Sequence, residues 1–260
     1  MRIVSYLGEE GPRRGIVDGA QVRDAGAGFE LLAPGPVVGT LDDLHLLAPV
    51  PHPGKVIGIG RNYADHARET GAAVPDRPQL FGMWSNAVVG PGAPIRYPAI
   101  TAALDYEAEL VVVIGRTASQ VSAAHALDHV LGYTCGNDVS ARDLQHGDTQ
   151  WIRGKALDSF APIGPWIVTA DEIPDPQALH IRGLVNGEVR QDDTTAHMLF
   201  GVAELIEFIT EAITLEPGDL IFTGTPAGVG HGMEPKGYLA VGDTVQVEVE
   251  GIGTLENPVA

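Results

Sequence analysis

The segment Leu104-Asp105-Tyr106-Glu107-Ala108-Glu109-Leu110-Val111-Val112-Val113-Ile114-Gly115 constrains the fold more than any other part of this chain. Residues 110–114 form an unbroken apolar run rich in β-branched side chains, the pattern of a strand covered on both faces. Side chains alternate along a strand, so Asp105, Glu107 and Glu109 fall on one face at its start. Carboxylates beside an apolar core repel one another and are costly to desolvate. Two arrangements remove that conflict: an edge strand whose acids face water, or a hard divalent cation held between them. Ligation by carboxylate oxygen suits Mg²⁺, Mn²⁺ or Ca²⁺ better than zinc.

A second polar run, Gly136-Asn137-Asp138-Val139-Ser140-Ala141-Arg142-Asp143-Leu144-Gln145, follows strand-like residues 131–135. Asp138 stands where a strand ends and a turn or short helix begins. Capping accounts for one of Asn137 and Asp138. It does not account for the dense string of polar residues that follows, which reads as the lining of a site.

Composition sets the outer limits. A chain of 260 residues, 44% of them hydrophobic, can bury a substantial core in one or two domains. The formal net charge of −18, from 16 basic and 34 acidic side chains, argues against nucleic acid or an anionic membrane as partner. It leaves room for a small anionic substrate held by local cations. Cys135 is the single cysteine, so no intramolecular disulfide forms, and it reads as packing. The N-terminus carries no apolar signal core and no long apolar run occurs, so a soluble cytoplasmic protein is expected.

With 33 glycines and 19 prolines separating short apolar runs, the expected class is mainly β, or α+β. Residues 1–50 read as a small β-rich domain with a hairpin turn at Asp18-Gly19, and Pro49, Pro51 and Pro53 mark a linker. Residues 54–260 carry the chemistry. One helix is expected where Val202, Leu205, Ile206, Ile209 and Ile213 recur before Pro217-Gly218, and a second over residues 121–131.

Three further motifs bear on function. Gly58-Ile59-Gly60-Arg61-Asn62-Tyr63 follows a strand but lacks the third glycine and the later acid of a dinucleotide fold, which excludes that reading. Instead Asn62 is expected to cap a short helix over residues 63–70, with Gly71 as its stop. On that helix His66 and Glu69 share a face, either as an exposed ion pair or as a carboxylate-oriented general base. Lys155, between apolar residues and glycines, is either a solvated lysine or a partner for a substrate oxyanion. Residues 222–230, Phe-Thr-Gly-Thr-Pro-Ala-Gly-Val-Gly, lack the ending of a phosphate loop. They either make turns or offer backbone N–H groups and the Thr225 hydroxyl to a carboxylate.

Taken in order, these segments, with Gly90-Pro91, Pro94-Ile95 and Gly154-Lys155-Ala156-Leu157-Asp158, resemble the fumarylacetoacetate hydrolase family over about residues 54–260. The resemblance implies a mixed β-sandwich roll with a small N-terminal β domain, assembled as a homodimer. It implies Mg²⁺ or Mn²⁺ held by Glu107, Glu109 and Asp138, with Asp105 at a position that varies and is not a ligand. It implies that His66 and Glu69 are a dyad on a lid helix that activates water, and that Lys155 stabilises an enolate. Arg142, Gln145 and Thr225 would then line the pocket of a small anionic 2-oxo acid.

The implied reaction is hydrolysis of a carbon–carbon bond in an acylpyruvate-type substrate, with a place in aromatic catabolism. An oxaloacetate-type decarboxylase and a 2-hydroxyhepta-2,4-diene-1,7-dioate isomerase are alternatives on the same scaffold, and a non-catalytic 2-oxo-acid binder is a third. Two departures stand out. Met83 occupies the place of a lysine common in the family, which removes a cation. Gly154-Lys155-Ala156-Leu157-Asp158 replaces the usual Gly-Lys-Ser-Phe-Asp.

Overall fold

The computed structural model describes residues 1–29 and 32–260. In chain order the first strands are Arg2–Gly8 (β1), Gly11–Asp18 (β2), Gln21–Asp24 (β3), Val37–Thr40 (β4) and Leu46–Leu47 (β5). Then come Val56–Gly60 (β6), helix Ala64–Glu69 (α1), Gln79–Met83 (β7), Val88–Val89 (β8), Leu104–Asp105 (β9) and Ala108–Ile114 (β10). After the single turn Ala123–Ala126 (α2) follow Val130–Asn137 (β11), Ser140–Ala141 (β12), helices Arg142–Gly147 (α3) and Ile152–Lys155 (α4), and Ala161–Thr169 (β13). The chain closes with His180–Val185 (β14), Glu188–Thr194 (β15), helix Val202–Thr210 (α5), Leu220–Phe222 (β16), Thr244–Val249 (β17) and Gly253–Pro258 (β18).

The main sheet runs β4-β3-β2-β1-β13-β11-β10-β16-β6-β7, with β5 on β1 and β8 on β13. A four-stranded sheet, β15-β14-β17-β18, packs against it, and β9 pairs with β12. The amino-terminal strands continue the main sheet because β1 pairs with β13, Arg2 opposite Val168. The hairpin expected at Asp18-Gly19 joins β2 to β3, with Asp18 opposite Gln21 and Gly19 at φ +60°.

The centre of the fold is β10, and its uniformly apolar run has the expected cause. Leu110, Val112 and Ile114 enter a core shared with Leu205, Ile206 and Ile209 of α5 and with Val247 of β17. Val111 and Val113 enter a second core with Leu104, Phe160, Ile163 and Phe222. A strand buried on both faces gains apolar burial from every residue, so no polar alternation survives.

Several local expectations are corrected. α5 ends at Thr210 instead of reaching Ile213. The Thr210 carbonyl accepts from Gln120 N–H (2.9 Å), and its hydroxyl oxygen accepts from Val121 N–H (3.1 Å). The helix expected over residues 121–131 shrinks to α2 and a 3₁₀ turn, because Val130 already pairs with Ile114. Asn62 caps no helix; Tyr63 is the N-cap residue, with no side-chain cap bond. The Asn62 amide is a buried staple. Its Nδ2 donates to the carbonyls of Thr223 (2.8 Å) and Phe200 (3.0 Å), and its Oδ1 accepts from Phe200 N–H (3.0 Å).

That staple ties the end of β6 to segments far away in sequence. Asn62→Ala leaves buried backbone groups without partners, and is expected to lower unfolding stability by about 2–3 kcal/mol in urea titration. A loss within about 0.5 kcal/mol would contradict a structural role for the amide.

Candidate metal centre and active site

Strand register assembles the acid cluster. β10 runs antiparallel to β11 with Ala108 opposite Asn137. The next step of that ladder sets Glu107 beside Asp138, and Asp138 N–H donates to the Glu107 carbonyl (3.0 Å). The Asn137 side-chain oxygen accepts from Glu107 N–H (3.0 Å), holding the chain where β10 begins. Alternation then puts Glu109 on the same face as Glu107. The carboxylate oxygens of Glu107, Glu109 and Asp138 lie within 4.8 Å of one another, and all three residues are buried.

Two buried cations brace the cluster. Lys155 Nζ donates to Glu107 Oε2 (2.8 Å) and to Asp138 Oδ2 (2.7 Å). Arg142 Nη1 is 2.7 Å from Glu107 Oε1. Helices α3 and α4, which carry these cations, can pack closely because Gly154 has no side chain. A Cβ there would lie 2.7 Å from the backbone nitrogen of Gln145. Arg142 is aimed by Asp105, whose Oδ2 accepts from Arg142 Nε (2.8 Å) and from His231 N–H (3.0 Å), while its Oδ1 accepts from Gly230 N–H (2.8 Å). Asp105 is therefore apart from the triad, at the break between β9 and β10, and organises the arginine behind it.

The electrostatics are those of an over-charged pocket. Burial raises Glu109 well above the ordinary carboxylate range, and the charges of Asp138 and Glu107 raise it further. Burial also raises Asp138, to about 7, with the opposing pull of Lys155 only partly offsetting it. At Glu107 burial pushes up as well, but Lys155, Arg142 and His66 outweigh it and hold this carboxylate below its usual range. Asp138 Oδ1 is buried without a hydrogen-bond partner, as is Arg142 Nη2.

Helix α1 closes over this cluster. His66 Nδ1 is 2.9 Å from Glu69 Oε1, and His66 Nε2 is 4.0 Å from Glu107 Oε1. The second oxygen of Glu69 accepts from Gly228 N–H in the glycine-rich loop (2.9 Å). The same loop needs its glycines for close approach: a Cβ at Gly232 would lie 2.5 Å from Glu69 Oε2, and one at Gly228 2.0 Å from the Arg190 carbonyl. Beneath α1 is a cavity of about 40 Å³. Its walls include His66, Glu107, Arg142, Gln145, Lys155 and Thr225, together with Arg61, His146 and Trp151, whose place here the sequence reading had missed.

Three expectations change at the level of atoms. The Thr225 hydroxyl donates to the Ala108 carbonyl (2.9 Å) and accepts from Gln191 Nε2 (2.7 Å), so its proton is bonded to β10 while the residue lines the cavity. The loop instead gives its Gly224 N–H to Glu109 Oε2 (2.7 Å). Met83 sits in β7 opposite Val56 and is buried in the core, away from the cavity walls. Its substitution for a basic residue is a packing feature. Gln145 accepts from Arg142 Nη1 (3.1 Å) and lines the cavity as expected.

The family described as fumarylacetoacetate (FAA) hydrolase C-terminal matches residues 55–260. The chain belongs to that family. Oxaloacetate tautomerase fahd2, mitochondrial, of Xenopus laevis is 44% identical over 219 residues, covering 84% of this chain and 69% of the relative. A 2-hydroxyhepta-2,4-diene-1,7-dioate isomerase from Mycobacterium marinum superposes with a TM-score of 0.83 at 41% identity, over 100% of this chain and 98% of that one. A fumarylacetoacetate hydrolase from Exiguobacterium antarcticum superposes with a TM-score of 0.90 at 39% identity, over 100% and 99%. The mixed β architecture is thus that of the fumarylacetoacetate hydrolase family, and the chain is an enzyme of that kind. Among the described residues, no helix is long and apolar enough to cross a membrane.

The triad can hold a divalent ion. Its donors are all carboxylate oxygen, one of them, Asp138 Oδ1, has no other partner, and the local charge is in excess. A carboxyl whose pKa is raised on folding stabilises the folded state while it is protonated. For Asp138 that contribution is complete below its ordinary value of 3.8 and is lost as pH rises through about 7. A bound cation replaces those protons. The gain in melting temperature on adding Mg²⁺ or Mn²⁺ to chelator-stripped protein is therefore expected to grow between about pH 6 and about pH 8. A gain independent of pH would contradict protonated ligands in the metal-free fold.

Proposed function

We propose that this member of the fumarylacetoacetate hydrolase family is a divalent-metal-dependent enzyme that works on small 2-oxo acids through an enolate. With an acylpyruvate it cleaves the carbon–carbon bond by hydrolysis. The observation that carries this reading is the aim of His66, which is fixed at Nδ1 by Glu69 and presents Nε2 to the edge of the carboxylate cluster. Mg²⁺ or Mn²⁺ on Glu107, Glu109 and Asp138 would supply Lewis-acid polarisation of the carboxylate and oxo oxygens of the substrate.

The chain's own residues account for the remaining steps. Arg142 Nη2, buried and unpartnered, is available to a substrate oxygen. Lys155 is held protonated by Asp138 and Glu107 despite its burial, and keeps a positive charge where an enolate oxygen develops. His66 Nε2 takes a proton from water, and Glu69 stabilises the resulting imidazolium and fixes its orientation. The hydroxide attacks the carbonyl remote from the carboxylate. The bond to the central carbon then breaks, giving a carboxylic acid and a pyruvate enolate. The enolate carbon recovers a proton, for which protonated His66 is the donor. The small cavity limits the water that can reach the enolate.

A second reading is proton transfer alone, as in a tautomerase or isomerase, and it is favoured by the reactions for which two of the relatives are named. It uses the same enolate and the same histidine but no attacking water, which is why one scaffold serves both.

Chelator-stripped protein titrated with Mg²⁺ or Mn²⁺ is expected to release acetate and pyruvate from acetylpyruvate in proportion to metal occupancy. Loss of the enol absorbance of oxaloacetate, with no acetate from acetylpyruvate, would move the assignment to the second reading. Activity indifferent to metal would remove both. Glu107→Ala and Asp138→Ala are expected to abolish metal-dependent turnover in a folded protein. His66→Ala should lower acetylpyruvate hydrolysis by about 10²- to 10⁴-fold.

A further inference from the structure

The Gly58-Ile59-Gly60 motif at the end of β6 has no part in the reaction above, yet it shapes the wall beside Lys155. Alternation along β6 sends Ile57 and Ile59 into the core shared with α5. Gly58 and Gly60 share the opposite face and leave it bare. Two aromatic rings lie on that bare face. A Cβ at Gly58 would fall 2.2 Å from Cζ of Phe81, and one at Gly60 2.5 Å from the Trp151 indole. Phe81 comes from β7, directly opposite Gly58 in the ladder, and Trp151 is the residue before α4. The two rings meet edge to face, with 5.5 Å between centres and 62° between planes. The Arg61 guanidinium carbon in turn is 5.3 Å from the centre of the Trp151 ring. Phe81 is thus fixed by β6 beneath it and by Trp151 beside it.

Phe81 carries this frame to Lys155. The Lys155 ammonium lies 5.3 Å from the centre of the Phe81 ring, within range for a cation over an aromatic face. Lys155 is 2% exposed, and two of its N–H donors go to Glu107 and Asp138. Among the described residues no further acceptor lies in hydrogen-bond range of the ammonium, and the Phe81 ring is its remaining partner.

The kind of partner matters chemically. A further carboxylate would cancel the charge that a developing enolate needs, and water would hydrate it. A ring face attracts the ammonium through its quadrupole, brings no formal charge and takes the place of water. Phe81 and Lys155 both line the cavity.

We propose that Phe81 is a positioning residue for Lys155, its ring face holding the ammonium against Glu107 and Asp138, and that the glycine pair of β6 is the seat of that ring. Its effect on turnover rests on the enolate chemistry proposed above, whereas the contact itself does not.

The test replaces Phe81, in the Mg²⁺-saturated protein, by phenylalanines carrying one, two or three ring fluorines. These nearly keep the shape while draining electron density from the ring face. Urea unfolding at fixed protein concentration reads the contact without turnover. With Lys155 in place the unfolding equilibrium constant is expected to rise stepwise, by about three- to thirty-fold across the series. In Lys155→Met the same series is expected to be flat. A flat series with Lys155 present overturns the proposal even if Lys155→Met fails to fold, and so does an equal rise in both proteins.

Turnover supplies the second readout. kcat for acetylpyruvate, or for enolisation of oxaloacetate under the second reading, is expected to fall in the same order and by a similar factor. KM should stay within about two-fold, because Lys155 acts on charge that develops after binding. An unchanged kcat along a series that weakens stability would make Phe81 a packing residue and overturn the proposal. Turnover of neither compound, beside a series that depends on Lys155, would remove the proposed function and leave Phe81 as the residue that holds the ammonium.

Discussion

The site depends on how buried charge is cancelled around Glu107. Asp105, Glu107, Glu109 and Asp138 are buried carboxylates, and among the described residues Arg142 and Lys155 are the arginine and lysine buried beside them, with His66 at the edge. If the four acids ionise, Arg142 and Lys155 leave two negative charges uncancelled, apart from whatever His66 carries. Without a metal, the cluster relieves that excess by holding protons, which is why Glu109 and Asp138 are pushed up while Glu107, caught between both cations, is pushed down. One divalent cation supplies the same two charges. The arrangement therefore makes sense as a metal site on charge alone, before any relative is considered. Buried ion pairs are poor stabilisers against apolar replacements of equal size. A cluster this charged weakens the fold unless a ligand completes it.

The geometry of that cluster is set by close backbone approaches more than by the acids. β10 and β11 must meet in one register for Asp138 to sit beside Glu107. α3 and α4 must touch at Gly154 for Arg142 and Lys155 to converge on Glu107 from two directions. Gly224 must turn at φ +100° so that its N–H reaches Glu109, and a side chain there would strike Asn62. Asn62 in turn holds the end of β6 against Thr223 and Phe200. The acid triad, Arg142 and the glycine-rich loop are thus tied to one another through backbone contacts, an arrangement that suits chemistry tolerant of little displacement.

What could be read in the chain follows from how local each signal is. Glu107 and Glu109 were legible because alternation along a strand needs only neighbouring residues, and the double-sided burial of β10 was legible from its unbroken apolar run. His66 and Glu69 were legible because three residues along a helix bring side chains together without outside help. Asp138 stood out by position, and its distance from Glu107 followed from pairing that sequence does not show. The misreadings share one cause. Asn62 resembles a helix cap locally, but its partners are 138 and 161 residues away. Thr210 ends α5 through contacts with residues 120 and 121. Met83 marked a missing cation in a one-dimensional comparison, yet the strand that carries it turns that side chain into the core.

The position of α1 over the acid triad bears directly on the proposed reaction. A cavity of about 40 Å³ holds little more than water, far less than the several hundred cubic ångströms usual for an organic ligand site. If the site takes an organic acid as proposed, a movement of α1 is the change that would enlarge it. The helix is suited to that. It has six residues and no side-chain N-cap bond, so little of its stability is its own. The Glu69 carboxylate ties it to the glycine-rich loop through one backbone N–H, while the same residue orients His66. Opening the helix breaks the tie to Gly228 and withdraws His66 from the triad together, because both run through one side chain. On the function proposed above, His66 would then reach the triad only with α1 in this position, so that proton transfer and helix position depend on one side chain.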